Sequence, residues 1–203
     1  MSPPSKYFQN IEQYRQDLLI QTELCGEAMQ FKTTWGLFSP RAIDDGTKLM
    51  LQYIQVNEDD DCLDIGCGYG PLGLTLAKLA PNGHTCLIDK DFVAIKYTEK
   101  NIQLNKLNNC DTFLSNGLDQ VSEKIGRKKF NLIVSNIPAK VGNELLSLFM
   151  VDALNHLEPG GRFYVVTITG IRKYIERSFK EVFGNYKKVK QGKTYTVAMT
   201  IKE

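Results

Sequence analysis

The stretch Asp64-Ile65-Gly66-Cys67-Gly68-Tyr69-Gly70-Pro71-Leu72-Gly73 decides the fold of this chain. It joins a short apolar run, residues 62–65, to an amphipathic run that begins at Pro71, and proline is favoured at the first position of a helix. Glycines in a strand-to-helix turn permit positive φ and let the backbone approach a ligand closely, beside the positive end of the helix. The stretch therefore predicts a strand, a ligand-binding turn and a helix.

The same alternation of short apolar and longer amphipathic runs continues from this stretch to the C-terminus. The predicted strands are residues 62–65, 85–89, 112–114, 130–134, 162–166, 186–190 and 195–201, and the predicted helices are residues 71–80, 91–107, 142–157 and 171–183. Strands that alternate with helices form right-handed βαβ units around a mostly parallel sheet. We therefore expect a doubly wound α/β fold with seven strands, helices on both faces and an antiparallel C-terminal strand.

The N-terminal part departs from this alternation. Residues 7–24 place apolar side chains at helical spacing, residues 31–38 form an extended piece that turns at Gly36, and a helix is predicted over about 44–54. No linker rich in Pro, Gly or Ser divides the chain. The sequence predicts an N-terminal helical extension over residues 1–28 and a single domain over residues 29–203.

Composition excludes several classes of protein. The 203 residues are 42% hydrophobic and 24% charged, which are ordinary globular values that argue against disorder, collagen and coiled coil. No apolar run approaches the roughly 18 residues of a membrane span, and the N-terminus lacks the apolar region of a signal peptide. Five scattered cysteines without a CxxC pair, and only two histidines, argue against a zinc site or a disulfide scaffold. We expect a cytoplasmic protein without a bound metal.

Charge is distributed unevenly along the chain. Residues 1–119 hold 10 Lys and Arg against 16 Asp and Glu, whereas residues 120–203 hold 15 against 7. A basic surface for a polyanion and an ordinary solvated helix face both produce such counts, so charge alone does not choose between them.

Two kinds of cofactor compete for the glycine-rich turn. Residues 68–73 satisfy G-x-G-x-x-G, a weak signature of dinucleotide binding. The carboxylate of Asp64 would repel a pyrophosphate but attract an ammonium or sulfonium group, and S-adenosylmethionine carries both cations. Asp89 ends the next strand, where an acidic side chain accepts both hydroxyls of a ribose. Asp89 could instead cap the following helix, although Asp91 is better placed for that.

Asp64, Gly66, Gly68 and Gly70 resemble the D/E-x-G-x-G-x-G motif of class I S-adenosylmethionine-dependent methyltransferases, which have a Rossmann-like fold. The resemblance implies S-adenosylmethionine as the cofactor, with the turn beside its methionine part and Asp89 at the ribose. After the third strand the family often has an Asp that accepts a hydrogen bond from the adenine amino group; this chain has Asn116 there, whose amide oxygen can accept the same bond. The candidate cofactor residues are Asp64, Gly66, Cys67, Gly68, Gly70, Asp89, Lys90, Asn116 and Gly117.

The fourth strand ends in Val134-Ser135-Asn136-Ile137-Pro138-Ala139. An Asn-x-Pro turn that caps a helix would need no chemistry, but this turn opens on the same edge of the sheet as the glycines. It resembles the (D/N/S)-(I/P)-P-(aromatic) motif of methyltransferases that act on amino and amide nitrogens. The resemblance implies that the Asn136 side-chain oxygen and the Ile137 carbonyl hold the NH₂ group, while Pro138 fixes the turn.

The chain departs from this motif at Ala139, because an aromatic residue there would stack on a flipped base. Either another ring supplies the platform, with Trp35, Phe38 and Tyr69 as candidates, or the substrate differs from the usual one of the family.

A longer resemblance covers residues 29–203. Residues 35–40 (WGLFSP), residues 44–47 (DDGT), the glycine turn, Asn101, Asn105 and residues 107–109 are similar to the catalytic domain of RsmC/RlmG-like ribosomal RNA guanine-N2 methyltransferases and to single-domain archaeal relatives. In that family the segment around DDGT lies over the cofactor, so Gly46 and Thr47 become further cofactor candidates. A plain helix start explains them equally well.

RNA affinity would come from the basic second half of the chain. Its candidate contacts are Lys124, Arg127, Lys128, Lys129, Lys140, Arg172, Lys173 and Arg177. Lys140 is the most specific of these because it follows the Asn-Ile-Pro motif, and with Trp35 and Phe38 it forms the set of substrate candidates.

The resemblance implies methylation of the exocyclic N2 amine of a guanosine in rRNA or tRNA. Two alternatives stay open: methylation of a glutamine or other amide in a protein, and a non-catalytic module that binds the cofactor.

Overall fold

The computed structural model describes residues 11, 14, 16–118, 129–138 and 142–203. The strands are β1 (Leu18–Leu24), β2 (Glu27–Thr33), β3 (Cys62–Ile65), β4 (Thr85–Asp89), β5 (Cys110–Leu114), β6 (Phe130–Asn136), β7 (Leu157–Ile168), β8 (Lys187–Gln191) and β9 (Tyr195–Ile201). The helices are α1 (Asp45–Tyr53), α2 (Pro71–Leu79), α3 (Phe92–Leu104), α4 (Asn143–His156) and α5 (Arg172–Phe183).

Seven of these strands form one sheet in the order β5-β4-β3-β6-β7-β9-β8. Neighbours from β5 to β7 pair in parallel, whereas β9 runs antiparallel to both β7 and β8. The predicted seven-stranded sheet with an antiparallel C-terminal strand is thus confirmed. From β3 to β5 each new strand is added on one side of β3, whereas β6 and β7 are added on its other side. Ligands of open α/β sheets bind at such a switch point, here between β3 and β6.

Helices cover both faces of the sheet, as predicted. On one face Leu74 and Leu76 of α2 are fully buried in a core that also takes in residues of α1, α3 and the β1–β2 hairpin. On the other face Met150 of α4 and Phe179 of α5 are fully buried against Phe163 of β7. Successive residues of the central strands β3, β4 and β6 face these two cores in turn, since those strands are buried on both sides.

The helix predicted within residues 7–24 is wrong for its second half, where the chain forms a hairpin of β1 and β2. Cys25 and Gly26 make the two-residue turn with φ of 54° and 82°. Positive φ at both positions is the geometry that joins twisted antiparallel strands tightly. Residues 18, 20, 22 and 24 of β1 are buried or half-buried, whereas residues 19, 21 and 23 are exposed, so a period of two overrides the helical spacing.

Two asparagines, Asn101 of α3 and Asn105 at its C-terminal cap, hold the free edge of this hairpin. Asn101 accepts from the N–H of Lys32 at 2.7 Å and donates to its carbonyl at 2.9 Å. Asn105 does the same for Gln30 at 3.0 and 2.7 Å. The two amides lie one helical turn apart, so they match alternate residues of an extended strand. They pair the edge of β2 as a neighbouring strand would.

No helix in the described part of the chain combines the length and the apolar character needed to cross a membrane. Ala139, Lys140 and the basic residues Lys124, Arg127 and Lys128 lie outside the described residues, as do residues 1–10 of the predicted extension.

Candidate functional site

A cavity opens at the carboxyl ends of β3, β4, β5 and β6, four strands that are neighbours in the sheet. Its lining includes the glycine-rich turn after β3, Asp89 at the end of β4, residues 115–117 after β5, and Asn136 at the end of β6. Side chains that are far apart in sequence meet here because parallel strands end at one edge. The cavity is therefore built by the sheet topology.

The turn after β3 has the left-handed geometry that its glycines predict. Gly66, Gly68 and Gly70 have φ of 75°, 59° and 96°. A Cβ added at Gly66 or Gly68 would meet no protein atom within 4 Å, and both residues line the cavity. Backbone that borders open space at these points can be approached closely by a ligand. Gly70 caps α2 and is not part of the lining.

Asp64 is buried beneath the turn, with 1% of its surface exposed. One carboxylate oxygen accepts from the N–H of Gly73 at 2.8 Å. Burial raises the pKa of Asp64 to about 7; the Gly73 N–H partly offsets this, and the nearby charge of Asp89 adds to it. A carboxylate that is this costly to ionise gains most from a positively charged ligand.

Asp89 fixes the shape of the turn as well as facing the cavity. One oxygen accepts from the N–H of Gly68 at 2.9 Å, and the other accepts from the N–H of Asp91 at 2.9 Å. Asp91 itself caps α3 by accepting from Val93 at 2.8 Å. Each Asp89 oxygen keeps a second lone pair, which suits a pair of ribose hydroxyls. The helix-capping alternative for Asp89 is therefore unnecessary.

Cys67 lines the cavity but carries no reactive thiolate. Burial raises the pKa of its thiol well above the usual value, and the charges of Asp64 and Asp89 raise it further. The protonated Cys67 side chain is therefore a small, neutral part of the cavity wall.

The β5 end of the cavity is formed by backbone and short polar side chains. Asn116, Gly117 and Lys90 all line it. The hydroxyl of Ser115 donates to the Gly117 carbonyl at 2.6 Å, and the N–H of Leu118 donates to Asp152 of α4 at 3.2 Å. This turn is anchored from two sides, so the Asn116 amide has a defined position at the cavity rim.

Asn136 lies at the opposite wall, where β6 ends. Its Nδ2 donates to Asp44 Oδ2 at 2.9 Å and to Thr47 Oγ1 at 3.0 Å. Pro138 also lines the cavity, whereas the side chain of Ile137 is buried in the core and its N–H donates to the Val166 carbonyl at 2.9 Å. The predicted motif thus borders the same space as the glycine turn and Asp89.

Sequence reasoning missed Asp44 and two residues of α4. Asp44 caps α1 by accepting from the N–H groups of Gly46 and Thr47, a signal that its position before a helix does carry. Leu145 and Phe149, one turn apart on α4, close the apolar side of the cavity. Nothing in a leucine and a phenylalanine at helical spacing distinguishes a cavity wall from core.

The aromatic candidates have different surroundings. Phe38 lines the cavity and is 60% exposed. Tyr69 also lines it but is buried, and its hydroxyl donates to the Ser39 carbonyl at 3.2 Å. Trp35 is outside the lining and packs under the guanidinium of Arg41, 4.5 Å from the ring centroid. Of the three rings, Phe38 is the one that faces the cavity with an open surface.

The fold, the glycine turn and the two acidic residues define a class, the Rossmann-like S-adenosylmethionine-dependent methyltransferases. Residues 28–199 match the family model described as methyltransferase small domain. The chain therefore belongs to the methyltransferase small domain family, which confirms the predicted class and its cofactor.

Several relatives carry more specific names. The chain is 27% identical over 170 residues to an uncharacterized protein, YbxB, of Bacillus subtilis, covering 82% of this chain and 83% of that protein. It is 24% identical to ribosomal RNA large subunit methyltransferase G of Alteromonas mediterranea, covering 87% of this chain and 44% of the relative. It is 27% identical to ribosomal RNA small subunit methyltransferase C of Hamiltonella defensa, covering 83% of this chain and 49% of the relative. The chain thus spans about half the length of these two ribosomal RNA methyltransferases.

Among solved structures, the chain is similar to the 16S rRNA N2 G1207 methyltransferase RsmC of T. thermophilus in complex with AdoMet and guanosine. The TM-score is 0.82 at 24% sequence identity, and the match covers 92% of this chain and 51% of that one. The likeness shows that the two share a fold.

Proposed function

We propose that this chain transfers a methyl group from S-adenosylmethionine to the exocyclic N2 amine of a guanosine in rRNA or tRNA. The observation that carries the proposal is the position of Asn136, which borders one cavity together with the glycine turn and Asp89. An amide acceptor at that point suits an amino group, because the lone pair of an exocyclic amine is delocalised and must be oriented before it attacks.

The residues fit the cofactor. Asp64 offers a buried carboxylate for a cation, Asp89 offers two oxygens for a ribose, and Gly66 and Gly68 leave open space beside the backbone. The bound cofactor supplies a methyl group on a sulfonium, which becomes a neutral thioether as the new N–CH₃ bond forms.

The chain contributes orientation and charge stabilisation. The Asn136 side-chain oxygen and the Ile137 carbonyl accept the two protons of the amine, which places its nitrogen in line with the methyl group and favours the positive charge that develops there. The nitrogen then loses one proton to solvent. We assign the Phe38 ring to stacking on the base, because this chain has Ala139 at the position where the motif has an aromatic residue.

RNA as the substrate is supported by the names of the relatives and by the guanosine in the similar T. thermophilus structure. Arg41 lies over the Trp35 ring and adds a cation and an aromatic surface of the kind that nucleotides stack on, in the same segment as Phe38 of the cavity lining.

The first prediction concerns Asn136. Methyl incorporation from labelled cofactor into RNA from cells that lack the enzyme should fall by about 10²-fold or more in Asn136→Ala, since an oriented hydrogen bond in the transition state is lost. Asn155→Ala, which removes an exposed asparagine from the far end of α4, is the matched control and should keep the full rate.

Undiminished transfer by Asn136→Ala would contradict the assignment. Incorporation into ribosomal or release-factor protein with none into RNA would replace it with amide methylation. Cofactor binding by calorimetry without methyl transfer to RNA or protein would favour the non-catalytic module that binds the cofactor.

A further inference from the structure

Asn136 belongs to a cluster of four side chains, with Asp44 and Thr47 from the start of α1 and Tyr195 from the start of β9. Asp44 is its centre: Oδ2 accepts from Asn136 Nδ2 at 2.9 Å, and Oδ1 accepts from the Tyr195 hydroxyl at 2.9 Å. Thr47 Oγ1 accepts from the same Asn136 nitrogen at 3.0 Å. These contacts join residues 92, 151 and 89 positions apart in sequence, so local turn geometry does not explain them.

We propose that Asp44 is a positioning residue for methyl transfer, which holds the Asn136 amide with its carbonyl oxygen towards the substrate. The inference rests on the proposed role of Asn136 as the acceptor for the amine. It adds the group that sets the direction of that acceptor.

An ionised carboxylate only accepts hydrogen bonds, so the amide must present its NH₂ to Asp44. The flipped amide would bring two oxygen atoms within 2.9 Å of each other. Asp44 and Thr47 together take up both protons of Nδ2, and the carbonyl oxygen is on the other branch of the amide. Among the described residues none hydrogen-bonds to that oxygen, and Asn136 lines the cavity.

A helix cap alone does not account for Asp44. Its Oδ2 does accept from the N–H groups of Gly46 and Thr47, at 2.8 and 3.2 Å. Capping needs one oxygen, however, and serine would supply it equally well. The second oxygen is occupied by Tyr195, whose pKa is raised to about 12 by burial and by its hydrogen bond to Asp44, so that its hydroxyl stays a donor.

Gly46 is explained by the same cluster. A Cβ at this position would lie 2.8 Å from Asp44 Oδ2 and 2.9 Å from the Tyr195 ring. The Tyr195 ring covers the backbone there, so any side chain at residue 46 would push Asp44 and Tyr195 apart. Gly46 is not part of the cavity lining, so the structure gives it a place in this cluster and no direct place at the cofactor.

The charge of Asp44 also acts on the reaction. A carboxylate that accepts from an amide N–H draws electron density towards the amide oxygen, which strengthens that oxygen as an acceptor. Positive charge grows on the attacking nitrogen as the methyl group arrives. A negative charge one amide group away stabilises that charge without touching the substrate.

Asp44→Ser tests the proposal because serine retains the cap and is too short to reach Asn136. The expected result is an apparent melting temperature close to that of the unchanged protein, with kcat lowered by at least about tenfold, the effect of losing a charge-assisted hydrogen bond. The KM for the cofactor should change much less than kcat. Tyr195→Phe should give a smaller loss of kcat, since Asp44 keeps its other contacts.

Asp45→Asn is the matched control. Asp45 is the next residue and pairs with Lys48 at 3.4 Å, with 82% of its side chain exposed. The Asp45→Asn variant loses one negative charge from the same helical turn, at a side chain that does not hydrogen-bond to Asn136. The kcat of this variant should be unchanged.

A second readout does not depend on the substrate. In the ¹H–¹⁵N spectrum of the protein alone, the side-chain NH₂ of Asn136, assigned by its absence in Asn136→Ala, should exchange with solvent at least about tenfold faster in Asp44→Ser. Unchanged exchange, or an unchanged kcat in Asp44→Ser, would overturn the inference. If the unchanged protein methylates no RNA, the proposed function fails while the exchange rates still decide whether Asp44 holds the amide.

Discussion

At the scale of single residues, Asp64 differs most from its sequence-based interpretation. The sequence treats it as a fixed negative charge that selects a sulfonium over a pyrophosphate. In the structure it is buried, and its pKa is raised to about 7. A proton and a cationic ligand therefore compete for the same carboxylate, and ligand selection becomes dependent on pH.

This competition gives a prediction for cofactor affinity. As pH rises from about 5.5 to about 7.5, Asp64 ionises and the affinity for S-adenosylmethionine should increase, by up to about tenfold per pH unit below the pKa. The α-amino group of S-adenosylmethionine is predominantly charged up to about pH 7, because the ordinary pKa of an α-amino group is about 7.7 to 8.0, so the rise in affinity should level off above that pH. Asp89 faces Asp64 from β4, and the Cys67 thiol stays neutral. Calorimetry at several pH values measures the effect.

Asp64→Asn is the control for that series. The amide cannot ionise, so its affinity should be weaker than that of the unchanged protein at pH 7.5 and flat across the range. A pH dependence that survives in Asp64→Asn would assign the effect to another group.

At the scale of elements, the hairpin β1–β2 is supported by α3. Asn101 is fully buried, and its Nδ2 donates to Lys32 and also, at 2.8 Å, to the Tyr69 carbonyl in the glycine turn. Asn105 holds the neighbouring part of β2 but makes no contact with the turn. The hairpin and the cofactor turn are thus coupled through one side chain.

Asn101→Ala should lower the free energy of unfolding by about 2–3 kcal/mol, since it leaves buried backbone groups unpaired, and it should weaken cofactor binding. Asn105→Ala, the matched control, should cost about 1 kcal/mol and leave the cofactor affinity unchanged. Urea denaturation and calorimetry measure the two effects. Equal losses of affinity in both variants would show that Asn101 does not couple hairpin and turn.

The elements also show which parts of the fold follow from local sequence. Strands β3 and β4 have the predicted bounds because each is a short apolar run between turns. The N-terminal hairpin was not predictable by the same rule, since Tyr14 and Leu18 continue a helical spacing. The alternation becomes visible only in the folded chain, where Ile20 and Leu24 are buried in the core that α1, α2 and α3 share.

The candidate site was predictable from the sequence where the residue type and its place at a strand end indicate a single role. The positive φ of the turn glycines and the placement of Asp89 and Asn136 at strand ends follow from topology. The role of Asp44 was not predictable from the sequence, because its contact with Asn136 spans 92 residues and leaves no periodic signal. Contacts of that kind exist only after the sheet has formed.

At the scale of the whole molecule, the basic second half places lysines along one hairpin. Lys193 lies in the β8–β9 turn, two residues before Tyr195 and therefore at the edge of the sheet that holds the cavity. Lys187 begins β8 and pairs with Met199, away from that edge. Lys193 and Lys187 are both exposed residues of the same hairpin. Comparing variants of the two therefore separates the effect of a lysine's position on RNA binding from the effect of its charge.

If RNA lies across the cavity edge, Lys193→Gln should weaken RNA binding and reduce the steepness of log K against log salt by about 0.7, the contribution of one phosphate of a single strand. Lys187→Gln loses the same charge away from the cavity and should leave both quantities unchanged. Filter binding or anisotropy over a series of salt concentrations provides the measurement. Equal effects of the two variants would indicate non-specific attraction.

Mass spectrometry of nucleosides tests the proposed methylation of a guanosine amine without any intermediate inference. RNA from cells that lack the enzyme is incubated with the purified protein and isotopically labelled S-adenosylmethionine and is then digested. We predict labelled N2-methylguanosine, and at least about 10²-fold less of it when Asn136→Ala replaces the unchanged protein. A label found on a ring nitrogen, a ribose or a carbon atom would contradict the role of Asn136 as the acceptor that orients an exocyclic amine.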